Sequence, residues 1–217
     1  ELVAAAAKLL SNARNPLILA GRCSRSMDGW KQRVALAEKL NAPVLTSIKI
    51  AASFPTDHRL HPVPPFQSLL PEAKKLIAAA DVILSLDWLD LAGTLKQTFG
   101  ASDSVPAKII QVSCDAYSHR GWSMDHQGLP PMDLYLMCET DAAVPLLLDA
   151  VKPRMAGAAL PERVPLPPMP AEVSLRGVGA ALETATRGMD VCYTRLPLGW
   201  SGAYTHFRHP LDYIGHD

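Results

Sequence analysis

The sequence predicts an α/β fold built on a doubly wound parallel sheet of about five or six strands, with helices on both faces. Short apolar segments of about five residues alternate with amphipathic helical segments from residue 1 to about residue 152. The apolar segments lack the polar–apolar alternation of a half-exposed strand, which is typical of parallel strands covered on both faces. A proline-rich stretch ends this pattern, and a partial second domain is expected after it.

The first half of the pattern contains two helices and two strands. The opening helix is indicated by apolar residues that recur every three or four positions: Leu2, Ala6, Leu9 and Ala13. Asn15-Pro16 ends it, because the residue before a proline avoids the helical region. Residues 17–20 form a strand that stops at Gly21, and residues 43–47 form the second strand. The helix between them has a predicted buried face made of Trp30, Val34, Ala37 and Leu40.

The second half repeats the pattern. Pro71 begins a helix, since its missing N–H is not needed in the first turn. Residues 82–86, 108–112 and 133–137 are predicted strands, and residues 93–99 a short helix. Thr140-Asp141 is predicted to cap a last helix. Because parallel neighbours are joined by right-handed crossovers, residues 1–152 are expected to form one Rossmann-like domain.

The remainder of the chain has a different composition. Six prolines lie between Pro153 and Pro170, which indicates a stiff linker. Residues 173–187 follow as a predicted helix that Gly188 ends, and residues 190–194 could form one strand. One helix and one strand cannot build an independent core. The chain is therefore expected to end inside a second domain.

Composition and charge exclude several classes of partner. Lys plus Arg and Asp plus Glu both number 21, so the zero net charge predicts neither nucleic-acid nor membrane binding. Since the first residue is Glu1, upstream sequence could have been removed. No two cysteines stand in a CxxC pair, which favours separate reduced thiols in a cytoplasmic protein over disulfides or a zinc site. The four cysteines are Cys23, Cys114, Cys138 and Cys192.

Two histidine groups are weak metal-site candidates. Asp57, His58 and His61 have no further strong ligand near them in sequence, so an ordered surface loop is favoured. The second group combines three histidines with two aspartates: His206, His209, Asp212, His216 and Asp217. Pro210 breaks the helix that would align the first two histidines. A solvent-exposed or partner-facing loop is therefore preferred there.

The carboxyl ends of the predicted strands are the expected ligand-binding edge. They carry Gly21, Ser47, Asp87 and Asp115. Arg22 follows the first strand and precedes a helix, where a phosphate could bind. It could equally be a surface arginine, because the dinucleotide fingerprint G-x-G-x-x-G is absent. No sequence pattern for a Walker loop, a zinc protease or a catalytic triad is present.

Several segments, in order, resemble the central domain of the acetolactate synthase and benzoylformate decarboxylase family of thiamine-diphosphate enzymes. The most specific is Phe54-Pro55-Thr56-Asp57-His58-Arg59-Leu60, which matches the family pattern F-P-x-D-H-x-L. The others are residues 15–21, 42–47, 80–86 and 108–115. The resemblance implies three segments: a central domain at 1–152, the linker at 153–170, and the start of a diphosphate-binding domain at 171–217.

The resemblance also implies a function. The whole enzyme would be a Mg²⁺- and thiamine-diphosphate-dependent 2-oxo acid decarboxylase or carboligase, working as a homodimer or homotetramer. The activating glutamate and the Gly-Asp-Gly motif of the family cannot be placed here, so no catalytic residue is assigned. The partners of this chain would be the missing N- and C-terminal domains of the same polypeptide, and the chain alone is expected to be inactive.

The central domain holds FAD or ADP in some family members, and this chain departs from their pattern. Ser85-Leu86-Asp87-Trp88 stands where those members have Gly-x-Arg-Phe, so an acid replaces the cation and FAD binding is doubtful. A vestigial nucleotide pocket would comprise Gly21, Arg22, Ser47, Asp87 and Asp115. Two alternatives remain open: a Rossmann-like module that still binds FAD or ADP, and a purely structural oligomerisation domain.

Overall fold

The fold is known from a computed structural model that describes residues 1–100, 105–115, 126, 128–155, 160, 173–197 and 199–215. In these ranges helices and strands alternate as the sequence predicts. The six helices are α1 (Leu2–Asn12), α2 (Met27–Leu40), α3 (Pro71–Ala79), α4 (Leu91–Phe99), α5 (Thr140–Ala150) and α6 (Leu175–Ala185). The five strands are β1 (Pro16–Ala20), β2 (Val44–Thr46), β3 (Val82–Leu86), β4 (Lys108–Val112) and β5 (Leu134–Leu136).

The five strands form one parallel sheet in the order β2-β1-β3-β4-β5. β1 lies inside the sheet, between β2 and β3, and all five of its residues are buried. From β1 the chain continues to β2 at one edge of the sheet, whereas from β3 it continues to β4 and β5 towards the opposite edge. The order therefore reverses between β1 and β3, which is the point where doubly wound folds bind ligands. The predicted doubly wound α/β fold is confirmed.

Helices cover both faces of this sheet, as predicted. Leu10, Leu36 and Leu147 from α1, α2 and α5 pack on one face. Ile77 and Leu95 from α3 and α4 pack on the other. Because both faces are buried, the strands need apolar side chains at nearly every position, and this explains their uninterrupted apolar runs. None of the described helices has the length and apolar character needed to cross a lipid bilayer.

The helix termini show how the sequence sets the element boundaries. Ser26, Asp90 and Ser174 accept hydrogen bonds from the backbone N–H three residues later and so begin α2, α4 and α6. The predicted cap at Thr140-Asp141 is wrong by one position. Glu139 occupies the cap position of α5, without a side-chain hydrogen bond, and Thr140 is the first helical residue. One residue of the predicted buried face of α2, Val34, is only partly buried.

The segment after α6 differs from the prediction. The predicted strand at residues 190–194 is wrong, because the structure places a single isolated bridge there, between Tyr193 and Tyr213. Residues of this segment, which we call the tail, instead pack on the first domain and form a third apolar cluster with it. Its members are Trp30, Ile48 and Ala52 from the first domain and Leu196, Trp200, Phe207 and Tyr213 from the tail. Of the linker at 153–170, only residues 153–155 and 160 lie within the described ranges.

Candidate functional site

The candidate site lies at the reversal point between β1 and β3, where the two strands end in direct contact. The Gly21 N–H donates to the Leu86 carbonyl at 2.9 Å, and the Arg22 N–H to the Asp87 carbonyl at 2.9 Å. A Cβ on Gly21 would come within 2.0 Å of the Asp87 carbonyl oxygen. Only glycine therefore fits at this position. Asp87 itself has a φ of +56°, a left-handed conformation that aspartate tolerates better than most residues.

Arg22 joins two carboxylates across this crevice. Its Nη2 donates to Asp87 Oδ1 at 2.9 Å and also to Asp115 Oδ2. Ser113 Oγ donates to the same Asp87 oxygen at 2.6 Å, and Tyr135 donates its hydroxyl to the Asp115 carbonyl at 2.9 Å. The exits of β1, β3 and β4 are thereby held together by side chains. We call Arg22, Asp87, Ser113 and Asp115 the Arg22 cluster.

The electrostatics of the Arg22 cluster favour this closed arrangement. Burial of the guanidinium lowers the pKa of Arg22, but the hydrogen bonds and charges of Asp115 and Asp87 outweigh that effect and raise the pKa above its ordinary value. Burial and the charge of Asp115 raise the pKa of the Tyr135 hydroxyl, which therefore stays a hydrogen-bond donor. One cation and two carboxylates leave the cluster with a formal charge of −1.

The Arg22 cluster does not fit a nucleotide diphosphate. An incoming phosphate would have to displace two carboxylates from Arg22, and both would then stand beside it as like charges. The Asp87 carboxylate is 16% exposed, so solvent would screen that repulsion only in part. The close contact between Gly21 and Asp87 holds the ends of β1 and β3 together at the reversal point. The sequence interpretation of Arg22 as a surface or phosphate-binding residue therefore missed its bond to the protein's own carboxylates.

Four of the five predicted site residues meet at this edge, and Ser47 does not. Ser47 follows β2 and accepts a hydrogen bond from the Lys49 N–H at 3.1 Å. It lines a separate small cleft, together with Phe66, Trp88 and Thr94. Phe66 and Trp88 belong to the core under α3 and α4, whereas Cys23, next to Arg22, packs on the opposite core. Ser47 therefore lies on the other side of the sheet from Cys23, and its part in a nucleotide pocket stays a prediction.

A second polar network near the same edge was not anticipated from the sequence. Arg33 of α2 is 2% exposed, and its Nε donates to the Ser53 carbonyl at 2.9 Å. Its Nη1 donates to Asp141 Oδ1 at 3.3 Å and its Nη2 to the Ser24 carbonyl at 3.1 Å. The network ties the segments that follow β1 and β2 to the start of α5. Arg33 stands among polar and apolar residues of an amphipathic helix, so its sequence position carries no signal of burial.

The F-P-T-D-H segment is where the tail docks. The Thr56 N–H donates to the Phe207 carbonyl at 2.8 Å, and the Phe207 N–H donates back to Thr56 Oγ1 at 2.8 Å. Arg208 Nε donates to Asp57 Oδ2 at 2.6 Å. Thr56 is 5% exposed and Phe207 is 2% exposed. We call this reciprocal contact between residues 56–57 and 207–208 the tail latch.

The described histidines of both candidate metal groups have other contacts in the structure. His58 pairs with Glu38 at 3.2 Å, and His61 with Thr46 at 2.8 Å. His206 lies 3.4 Å from Thr56 Oγ1, so this histidine faces the first domain of the same chain. His216 and Asp217 lie outside the described residues. Within the described ranges, no group of three His, Cys, Asp or Glu side chains could hold a metal ion.

Part of this chain is similar in sequence to known proteins. A family model for the "Thiamine pyrophosphate enzyme, central domain" matches residues 3–121. The sulfoacetaldehyde acetyltransferase of Castellaniella defragrans is 41% identical over 115 residues, which are 52% of this chain and 19% of that protein. The sulfoacetaldehyde acetyltransferase of Alcaligenes xylosoxydans xylosoxydans is 38% identical over 112 residues, with 51% and 19% covered. The matched part therefore spans about a fifth of the length of these curated relatives.

Solved structures show the same fold. The benzoylformate decarboxylase of Polynucleobacter necessarius superposes with a TM-score of 0.69 at 19% identity, covering 98% of this chain and 39% of that one. The thiamine diphosphate-dependent 4-hydroxybenzoylformate decarboxylase of Rhodococcus jostii RHA1 gives 0.68 at 19% identity, with 98% and 39% covered. The superposed length includes the tail as well as the sheet.

Proposed function

This chain belongs to the family of the thiamine pyrophosphate enzyme central domain, and we propose that it acts as the scaffold of a thiamine-diphosphate-dependent enzyme. In this role it binds no nucleotide and carries none of the catalytic groups. It positions the polypeptide that follows it. The observation that carries the proposal is the tail latch, in which the family-like F-P-T-D-H segment holds residues 207–208.

The tail latch suits a scaffold because it is buried and reciprocal. Two backbone N–H groups, those of Thr56 and Phe207, depend on it for their hydrogen bonds. Further along, the Ala52 N–H donates to the Tyr213 carbonyl at 2.8 Å, and the Tyr213 hydroxyl donates to the Ile48 carbonyl at 2.8 Å. These contacts fix the direction in which the chain leaves the domain. A diphosphate-binding domain starting at 171–217 would inherit that direction.

The same proposal accounts for the Arg22 cluster. In a scaffold that binds no nucleotide, the protein's own side chains must hold together the ends of β1, β3 and β4 at the reversal point. Arg22 does this by bonding to Asp87 and Asp115. The rival function, a module that binds FAD or ADP, would require these bonds to break.

For the whole enzyme we propose a decarboxylase or an acyl-transferring carboligase. The relatives named as sulfoacetaldehyde acetyltransferases favour acyl transfer, since they are about 40% identical over half of this chain. The decarboxylase structures, at 19% identity, share the fold. Thiamine diphosphate would supply the carbanion chemistry. The sequence has no Gly-Asp-Gly motif, and its described residues contain no metal-binding group, so neither this cofactor nor Mg²⁺ is assigned a site here. A cytoplasmic homodimer or homotetramer remains part of the proposal.

The scaffold role is tested by Thr56→Val, which keeps the shape of the side chain and removes the hydroxyl. The buried Phe207 N–H then loses its acceptor, which costs about 1–3 kcal/mol. We expect the free energy of unfolding to fall by that amount and proteases to cleave the tail faster. Thr184→Val is the matched control, because Thr184 is exposed and its hydroxyl bonds within its own helix. Equal stability and equal tail cleavage in the two variants would refute the scaffold proposal.

Activity gives a second test. The chain is expected to turn over neither pyruvate, benzoylformate nor sulfoacetaldehyde when thiamine diphosphate and Mg²⁺ are added. Turnover that copurifies with the chain through further chromatography would contradict the assignment of catalytic groups to other parts of the enzyme.

A further inference from the structure

The first domain presents a surface that the chain's own tail occupies. Trp30, Ile48 and Ala52 pack in one apolar cluster with side chains of the tail. Next to them, Thr56 and Asp57 bind the tail through polar groups. We call these five residues the docking surface. It offers the tail both an apolar floor and polar partners.

Two aromatic residues anchor the tail on the docking surface. Phe207 and Tyr213 are buried, and their rings stack with centroids 5.1 Å apart. The backbone carbonyl of Tyr213 accepts a hydrogen bond from the Ala52 N–H at 2.8 Å. Beside Phe207, the Arg208 guanidinium lies 2.6 Å from the Asp57 carboxylate. Buried anchors, main-chain hydrogen bonds and a charge pair are the means by which proteins recognise a peptide segment.

The tail and α6 form one unit. A Cβ on Gly179 of α6 would come within 2.6 Å of the Tyr204 Cβ. Glu183 of α6 accepts a hydrogen bond from the Thr205 hydroxyl at 2.9 Å. Residues 161–172 join this unit to the first domain, and twelve extended residues span at most about 40 Å. That is about the diameter of a 150-residue domain. The connection is therefore long enough for the tail to reach its own docking surface or that of an adjacent copy.

We propose that the docking surface also accepts the tail of a second copy of this chain, so that two chains exchange tails and form a dimer. The second copy supplies the same Phe207, Arg208 and Tyr213, so every contact of the docking surface is preserved. Exchange needs no new interface, which makes it a low-cost route to dimers. A tail on the same chain has an effective concentration in the millimolar range. The exchanged dimer therefore forms above that protein concentration, or where a chain binds its own tail poorly.

Tail exchange goes beyond the scaffold role, which needs the tail only on its own chain. Both use the tail latch, but they fail separately. Thr56→Val asks whether the latch stabilises one chain, whereas exchange requires the latch to form between two chains. A chain that stays monomeric would overturn tail exchange and leave the scaffold role standing.

Reversing the charges of the Asp57–Arg208 pair separates the two arrangements. Asp57→Arg brings two cations together when the tail binds its own chain. Arg208→Asp brings carboxylates together there, and Glu183, which also contacts Arg208, adds to the repulsion. When the two variants are mixed, an exchanged dimer contains two attractive pairs. The unchanged Arg208 and Asp57 meet at one site, and the two substituted side chains meet at the other. A chain that carries both substitutions regains an attractive pair internally and is the matched control.

Analytical ultracentrifugation and native mass spectrometry measure the outcome, and circular dichroism checks that each variant is folded. Relief of two repulsions, each worth about tenfold, should lower the dissociation constant of the mixed dimer about a hundredfold, from about 1 mM to about 10 μM. At about 100 μM, the mixture should contain dimers with one chain of each variant, while each variant alone and the double variant stay monomeric.

A mixture that stays monomeric overturns the proposal, and so does a dimer that forms to the same extent in either variant alone. If a charge reversal prevents folding, the wild-type chain gives the decision. Refolded from urea at about 1 mM, it should yield dimers that persist on dilution, because separation requires both tails to leave their docking surfaces. Refolded at about 1 μM, it should yield monomers. Monomers at both concentrations overturn the proposal.

Discussion

Replacing Gly21 by alanine tests how tightly the reversal point is closed. The new Cβ would lie 2.0 Å from the Asp87 carbonyl oxygen and 2.5 Å from the Trp88 Cα. An ordinary contact is about 3.5 Å or more. The ends of β1 and β3 would thus have to separate by roughly an ångström or more, and the obstacle is backbone, which cannot rotate away.

The cost follows from the contacts that would be lost. Two backbone hydrogen bonds of 2.9 Å, from Gly21 and Arg22, cross this junction, and each is worth about 1 kcal/mol net. Overpacking adds about 1–3 kcal/mol. The total of about 3–5 kcal/mol is a large share of the roughly 5–15 kcal/mol that stabilises a domain. For a chain of this size it corresponds to a fall in Tm of about 6–20 °C.

Urea unfolding followed by circular dichroism measures the effect, with Gly188→Ala as the control. Gly188 has a positive φ, +77°, but no atom lies within 4 Å of the position that a Cβ would take there. Its replacement should cost only the strain of a left-handed alanine, about 1–2 kcal/mol. If Gly21→Ala destabilises the protein no more than Gly188→Ala does, the reversal point has room and the argument for a closed crevice is refuted.

Three further predictions concern ligand binding, the tail and pH. Isothermal titration should give dissociation constants for FAD and ADP at or above about 100 μM, which corresponds to a binding free energy of at most about 5.5 kcal/mol in magnitude. Micromolar binding, or a protein that purifies yellow with bound FAD, would contradict the closed Arg22 cluster. A chain truncated after Lys152 should still unfold cooperatively, but at a lower temperature because Trp30 loses its cover; loss of the transition would show that the tail completes the core. Hydrogen bonds from Lys108 and Ile109 outweigh burial and lower the pKa of Asp133. The ionised Asp133 carboxylate therefore stabilises the folded protein fully above the unfolded-state pKa of about 3.9, and this contribution is lost as the pH falls through the lower folded-state pKa. Since Lys108 is 60% exposed, Asp133→Asn should lower the free energy of unfolding by less than about 1 kcal/mol at pH 7. The difference should vanish at a pH low enough to protonate Asp133 in both the folded and the unfolded wild-type protein. Acid titrations of the wild-type protein and the variant measure it.

The sequence by itself determined the fold, because each element carries its own local signal. The strands at 82–86 and 108–112 were predicted with the observed ends, since an uninterrupted apolar run can be satisfied only between two layers of helices. The F-P-T-D-H segment indicated the family, and the family match over residues 3–121 confirmed it. Local patterns also placed Gly21, Arg22, Asp87 and Asp115 at the ends of neighbouring strands.

Only the tertiary structure decided how those residues pair. Whether Arg22 faces solvent, a phosphate or two carboxylates depends on the distance between the ends of β1, β3 and β4, and no local pattern encodes that distance. The same holds for Ser47, which the sheet order sends to a different cleft, and for Arg33, whose burial depends on the position of α5. The tail resembled an incomplete domain because its apolar residues have no partners of their own. Their partners lie about 150 residues earlier in the chain, at Thr56 and its neighbours, and only the folded chain brings them into contact.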